Sequence, residues 1–258
     1  MSATLPVLMY HGLHFDADSP GRFDPVYSVH PDAFAAQLDW LADNGYHTVG
    51  ASDRYAADDG RRIAITFDDG DVSNIDVALP LLRERDMVAT FFITSGFIGQ
   101  PGMLSPAQVG ALVAAGIEIG AHGHSHAFLE DLDDAALSAE LRESRRQLSK
   151  ITGGPVGSMA LPGGRGGERE RRAARAQGYA HLFGSVPGPN RNPAGEGWLQ
   201  RIAVTRDMEL GTFASLVAWR GVRPRVSRMR FEALSWPKRM LGNSGYERLR
   251  SRLLRVAR

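Results

Sequence analysis

The sequence predicts an α/β fold: a parallel sheet whose strands are joined by helices. Three observations predict it. Short apolar runs of strand length alternate with longer stretches in which apolar residues recur every three or four positions. Crossovers of that kind are right-handed. The chemically loaded groups His11, Asp68-Asp69, His122 with His126, and Pro162-Gly163 each follow one of the short runs. Active sites lie at that end of the strands in a β/α barrel. Finally, 258 residues suit one barrel-sized domain.

Taken in order, Pro6 to Tyr10 reads as a buried strand ending at His11, and Gly12 to Val29, rich in Gly, Pro and Asp, as a loop. Pro31 to Asn44 reads as a helix with Phe34, Leu38 and Leu41 on one face, stopped by Gly45. Tyr46 to Val49 is the next strand. In Arg62 to Gly70, Ile63, Ile65 and Phe67 alternate with Ala64, Thr66 and Asp68, so the two sets face opposite sides of a strand, and Gly70 allows a turn. A helix over Val72 to Arg85 should bend at Pro80. Val88 to Ile93 is strongly β. Ser105-Pro106-Ala107-Gln108 opens a helix with a capping box and Pro in its first turn, and Gly116 ends it.

A short strand then runs into His122-Gly123-His124-Ser125-His126. Asp133 to Ile151 reads as a helix with a polar face. Gly157 to Leu161 is a strand feeding Pro162-Gly163-Gly164-Arg165. A helix from Glu168 to Gln177 stops at Gly178, Tyr179 to Gly184 is strand, Ile202 to Val204 is the last strand, and Thr212 to Trp219 is the last helix of the body. There is no internal repeat and no low-complexity linker.

The composition is that of a soluble globular protein, and the absence of cysteine excludes disulfides and thiolate chemistry. Met1 to Leu13 lacks the basic and long apolar regions of a signal peptide, so the expected location is the cytoplasm, peripheral at the inner membrane surface if the tail binds lipid. The net charge of +1 hides an asymmetry. Residues 222–258 hold eleven Lys/Arg and two Glu, a net of +9, which leaves residues 1–221 at −8. The expected organisation is therefore a body over residues 1–221 and a basic, helical tail over 222–258. From Trp236 to Arg258 the tail can place Met240, Leu241, Leu249, Leu253 and Leu254 on one side. Packing on the acidic body and attachment to an anionic membrane surface are equal readings of it. No nucleic-acid motif is present, so nucleic acid is not an expected partner.

Two stretches carry the chemistry. Adjacent carboxylates at a strand end are costly unless a positive group holds them, and a metal is the economical answer, although a solvated Asp-Asp-Gly turn would read the same way. His122 and His126 are four apart, so one helical turn would put both imidazoles on one side. Two His and a carboxylate are a recurrent ligand set for a catalytic divalent metal. A surface cluster or satisfied core histidines are the bland alternatives.

Thr66-Phe67-Asp68-Asp69 followed by His122-x-x-x-His126 resembles the first two motifs of the NodB-type polysaccharide deacetylases, carbohydrate esterase family four, over roughly residues 5–205. The resemblance implies a distorted (β/α) barrel of about seven parallel strands. It implies Asp68 as catalytic base and Asp69, His122 and His126 as ligands of a divalent metal, zinc in the first place, with cobalt or nickel as alternatives. Most members place the general acid, a His, in a late Leu-x-His motif, which this chain lacks. Met9-Tyr10-His11 resembles the N-terminal segment of the poly-N-acetylglucosamine deacetylase branch, which implies His11 as the acid. His14, His30 and His47 are weaker candidates, and His181 is the fallback.

Pro162-Gly163-Gly164 matches the third motif in part and implies a Gly163 N–H as oxyanion donor. The Arg that often precedes that Pro and orients the base is Ala160 here, and Arg165 is the expected substitute. Trp198 is a loose match to the Asp-Trp motif. The expected activity is metal-dependent removal of N-acetyl groups, hydrolysing a non-peptide amide of an N-acetylated glycan or its precursor in exopolysaccharide or cell-envelope carbohydrate metabolism. The alternatives are an amidase or deformylase on a small or lipid-linked sugar, and a degenerate barrel that only binds glycan.

Overall fold

A computed structural model describes residues 4–16, 21–53, 61–190 and 197–229, together with 231 and 233. Strands and helices alternate along it. They are β1 (Val7–Tyr10), β2 (Gly12–Leu13), β3 (Ser28–Val29), α1 (Pro31–Asp43), β4 (Tyr46–Val49), β5 (Arg61–Asp69), α2 (Leu79–Arg83), β6 (Thr90–Ile93), α3 (Pro106–Ala114), β7 (Glu118–Ala121), α4 (Asp134–Thr152), β8 (Ser158–Ala160), α5 (Glu168–Ala176), β9 (His181–Phe183), β10 (Ile202–Ala203) and α6 (Leu210–Val217).

The main sheet is parallel throughout, in the order β10-β1-β5-β6-β7-β8-β9, with β4 beside the first half of β5. It curls, and one stretch reaches both of its ends. Leu199 bridges to Phe183 of β9, while Ile202 and Ala203 pair with Leu8 and Met9 of β1. This is the seven-stranded (β/α) barrel that the sequence led us to expect.

The alternation in β5 sorts as its pattern predicts. Ile63, Ile65 and Phe67 pack outward with Phe34, Leu38 and Leu41 of α1 in the large core. Ala64 faces a small inner cluster with Val7, Phe92, Ala160 and Phe183. Tyr10, Phe34, Phe67 and Phe91 meet ring to ring at centroid distances of 5.1, 5.2, 5.6 and 5.0 Å. Each such pair adds about 0.5–1.5 kcal/mol beyond area burial. The Tyr10 hydroxyl donates to Gln37 Oε1 at 2.7 Å, so its burial leaves no polar group unpaired. These contacts lock β1 to β5 just below His11 and Asp68.

Caps and breaks follow local chemistry. The Ser105–Gln108 capping box is present, Asp133 caps α4 through the Ala136 N–H, and Gly153 ends α4 with φ 74°. Two local expectations change. The stretch from Gly12 to Val29 is not all loop, because β2 and β3 pair in parallel. The helix expected over Val72 to Arg85 is irregular: Asn74–Ala78 forms a π-type turn that runs directly into α2, with Pro80 in the first turn of α2. A last helical stretch covers 223–229. The tail helix expected from Trp236 to Arg258 lies outside the described residues.

Candidate active site

The top of β5 delivers both carboxylates to one opening. Asp68 continues the inward set of the strand. Asp69 has φ 75° and Gly70 φ 90°, which ends the pleat. A left-handed φ outside glycine costs of order 1–2 kcal/mol, and such residues gather where function over-determines the backbone. The result is that His122 Nε2 lies 3.5 Å from Asp69 Oδ1 and 3.9 Å from Asp68 Oδ2.

The second histidine arrives by a different route from the expected helical turn. Residues 122–126 are not helical: Gly123 has φ 76° and His126 φ 63°. This loop brings the two imidazoles to a centroid distance of 5.1 Å. It is pinned from below by α4. Glu140 accepts from the His124 N–H at 2.7 Å, the Ser125 N–H at 2.6 Å and the Ser125 hydroxyl at 3.0 Å, while the Ser144 hydroxyl donates to the Gly123 carbonyl at 2.8 Å. His124 turns aside, its Nδ1 2.9 Å from the Ser95 hydroxyl.

Ligand atoms of Asp69, His122 and His126 all lie within 4.8 Å of one another. Two observations fit this group to a cation. His122 Nδ1 stands 3.1 Å from the Ala160 carbonyl, which places the ring proton there and leaves Nε2 as a lone pair facing Asp69. Asp69 Oδ1 is buried and has no aligned hydrogen-bond donor among the described residues, although His126 Nε2 is 3.2 Å away. Atoms this close yet misaligned point toward a common centre rather than at each other.

The electrostatics agree. Burial pushes the His122 imidazole down to about 4, against the pull of both aspartates, so it is neutral at pH 7, as a metal ligand must be. Burial pushes the Asp69 carboxyl up, but the His126 contact and the nearby His11 and His122 outweigh it and hold it well below the usual carboxylate range. His126 is pushed down by burial and up more strongly by Asp69, with a net rise.

Asp68 is held by a residue that the sequence reading missed. Arg201 is fully buried and donates to both Asp68 oxygens at 2.7 Å, and also to the Gly184 carbonyl at 2.7 Å. Burial raises the Asp68 pKa, but the Arg201 guanidinium overrides it, so the carboxyl stays ionised below its ordinary value. The expected substitute, Arg165, does something else. It pairs with Glu130 at 3.3 Å and lies over the Phe128 ring at 5.1 Å. Arg165 follows the third motif directly in sequence, but its side chain is turned to the outer rim. Arg201 instead sits just before β10, the strand that closes the sheet against β1, and so reaches the barrel interior. The one signal for it was an arginine adjoining a predicted strand in a chain that lacks the usual one.

His11 follows β1, whose Tyr10 pairs with Phe67, so it emerges at the same end as Asp68 and Asp69. Its ring stacks on Tyr27 at 4.6 Å, and its Nδ1 is buried with no hydrogen-bond partner among the described residues. Gly163 has φ 62°, and a Cβ there would meet the Phe128 ring at 2.2 Å, so the turn requires glycine. It sits beside the histidine loop, since Pro162 packs against Gly123. The remaining candidates have structural posts. His14 Nε2 lies 3.2 Å from Asp71, His30 caps α1, and His47 is exposed on β4. His181 begins β9 opposite Ser158, at the other end of the barrel from the site. Trp198 donates to the Gly167 carbonyl at 3.3 Å.

Comparison with known proteins adds relatives to this geometry. The family model described as polysaccharide deacetylase matches residues 56–182. YxkH of Bacillus subtilis (strain 168), which carries the name of a polysaccharide deacetylase, is 29% identical over 223 residues, 83% of this chain and 76% of its own length. Among solved structures, a polysaccharide deacetylase from Bacillus cereus is 27% identical with a TM-score of 0.72, covering 83% of this chain and 69% of that one. IcaB from Ammonifex degensii is 26% identical with a TM-score of 0.66, covering 84% and 97%. The Streptococcus pyogenes deacetylase PplD, solved with acetate, shares the fold at 23% identity and a TM-score of 0.76, covering 84% and 99%. With the fold and the Asp/His/His group, these matches show that the chain carries a polysaccharide deacetylase domain.

Proposed function

We propose that this deacetylase removes N-acetyl groups from an N-acetylated glycan or its precursor, with a divalent cation held by Asp69, His122 and His126. The observation that carries the reading is the convergence of those three ligand atoms beside an aspartate that Arg201 keeps ionised. A divalent cation, when bound, supplies Lewis acidity toward an amide carbonyl and toward water. Zinc suits two imidazoles and a carboxylate, as do cobalt and nickel.

The chain's own residues divide the rest. Asp68 takes a proton from the attacking water as its oxygen bonds to the carbonyl carbon. The Gly163 N–H donates to the oxyanion in this reading. His11 protonates the leaving amine as the C–N bond breaks, yielding acetate and a free amino sugar. A His at a strand end with an unpartnered, buried ring nitrogen beside two carboxylates suits that proton transfer. Half-buried aromatic rings at the rim support a sugar as substrate. Tyr27 lies on His11, Phe97 is 5.9 Å from His126, and Phe128 covers Gly163. Flat apolar faces beside polar groups are what a pyranose ring stacks on.

The test is acetate release from a panel of N-acetylated oligosaccharides, with and without chelator. Release that chelator stops and zinc, cobalt or nickel restores is the expected result. Release from a soluble small amide but from no oligosaccharide would move the substrate to the small-molecule class. Inactivity on the whole panel with full metal content would overturn the reading.

A further inference from the structure

Among the described residues seven large apolar side chains are exposed, and three of them fall within eight positions: Val222 at 70%, Val226 at 53% and Met229 at 67%. Val226 and Met229 lie on the last helical stretch, 223–229, and Val222 immediately precedes it. At 100° per residue Val226 and Met229 are about 60° apart on the helix, so they share one face as a stripe, and Val222 adjoins them at its N-terminal end. The inward side of this helix is elsewhere. Pro224 is buried and Ser227 and Phe231 are half-buried, roughly 100–160° round from Val226 and Met229. A surface helix ordinarily turns its apolar face to the core. This one is docked by its opposite face and presents the stripe to solvent.

Cations border the stripe. Arg223, Arg225 and Arg228 are exposed, and Arg223 donates to the neutral Thr212 hydroxyl, which leaves its charge intact. We propose that this helix is a docking surface for an anionic lipid bilayer: Val222, Val226 and Met229 enter the headgroup boundary while the flanking arginines meet lipid phosphates. Charge decides between occupants. The remaining chain from residue 234 onward carries seven Lys/Arg against one Glu, so covering the stripe with it would set like charge against like. A second copy of the same helix would do the same. An anionic surface is the partner that complements both the stripe and its border. The proposal is independent of the deacetylase chemistry.

Flotation of the full chain with vesicles tests it. Binding is expected to vesicles of phosphatidylcholine mixed with phosphatidylglycerol, and not to phosphatidylcholine alone. The pair Val226→Asp and Met229→Asp should weaken partitioning about tenfold or more, because carboxylates replace the inserted apolar groups. Arg225→Glu should weaken it about tenfold at low salt, and less at high salt. All three positions are exposed, so thermal melting and size-exclusion behaviour should stay unchanged. Three results would overturn the proposal: a wild type that ignores anionic vesicles, a double variant that floats as well as wild type, or a double variant that melts lower or changes oligomeric state. The last would mean that protein, not lipid, covers the stripe.

Discussion

Both ends of the barrel interior hold a carboxylate among polar side chains, and the two are built on opposite principles. At the N-terminal end Glu118 accepts from the Ser52 N–H at 2.9 Å, the Ser52 hydroxyl at 3.1 Å, the Thr90 hydroxyl at 3.2 Å and the Ser158 hydroxyl at 2.6 Å. All four donors are neutral. They come from β6, β8 and the loop after β4, so the cluster stitches strands together. At the C-terminal end Asp68 and Asp69 meet a guanidinium and two imidazoles, one carboxylate oxygen has no aligned donor, and two residues have left-handed backbones. The contrast teaches how to separate a structural polar cluster from a reactive one: the first is neutral and saturated, the second charged, strained and incompletely paired.

The largest effect that could sharpen this contrast is on turnover. Asp68→Asn keeps the shape and one acceptor for Arg201 but removes the base. We expect metal content to be unchanged and turnover to fall roughly 10²–10⁴-fold. Retained turnover would take Asp68 out of the chemistry. His11→Ala should cut turnover of an unactivated acetamide within the same range but spare an ester with a good leaving group, since such an ester needs less protonation. Equal loss on both substrates would move the acid elsewhere.

Stability should respond next. Arg201→Met strands the Asp68 carboxylate in a buried site, and breaking such a pair from one side costs about 3–5 kcal/mol. Urea unfolding of the metal-free protein measures it. A loss below about 1 kcal/mol, the size expected for an exposed pair, would mean that Asp68 is solvated. The double change with Asp68→Asn should recover part of the loss, because the carboxylate that Arg201→Met strands is then neutral.

The pH dependence of the metal-free protein follows from His122. Its folded pKa is about 4 against an ordinary 6.5, so between those values the unfolded chain binds the proton and the folded one does not. Stability from this group is fully present above about pH 6.5 and lost as pH falls to 4, a change of about 3 kcal/mol. The Asp68 pair acts in the same direction but lower, beginning only below the ordinary aspartate value of 3.8. Urea midpoints across this range, compared with those of His122→Asn, isolate the effect. A slope that survives the substitution would assign it to another group.

How much of this was readable in advance depended on range. β5 declared itself because alternation is local: Ile63, Ile65 and Phe67 against Ala64, Thr66 and Asp68 needs no partner to be seen. The Ser105–Gln108 box and the His122/His126 spacing are local too, although the spacing suggested a helical turn and the chain used a glycine loop. Arg201 carried only a weak signal, for the opposite reason. Its partner is 133 positions away in sequence, and only the closing of the sheet through β10 and β1 brings the two together. Arg165 looked better because sequence proximity to the third motif was the only available criterion, and tertiary packing overruled it. Glu118 gave no sign at all, since a saturated cluster is made of ordinary Ser, Thr and Glu scattered over four segments.

Glu118 is therefore where the contrast can be broken most cheaply. Glu118→Gln changes one atom of the cluster. The Gln oxygen can keep the Oε2 position and go on accepting from the Ser52 N–H, the Ser52 hydroxyl and the Thr90 hydroxyl. The last two need not move, because Thr90 already accepts from the Ala51 N–H at 2.9 Å and has its own proton to give. The new NH₂ takes the Oε1 position facing the Ser158 hydroxyl, which has only to rotate from donating to accepting. What is lost is the difference between charge-assisted and neutral hydrogen bonds, about 1 kcal/mol. Metal content and turnover should be unchanged. Glu118→Ala should cost more, since the Ser52 and Thr90 donors and the Ser158 hydroxyl then lose their common acceptor. If Glu118→Gln instead abolished turnover in a protein that melts normally, the two ends of the barrel would be coupled, and the division between a neutral stitching cluster and a charged reactive one would fail.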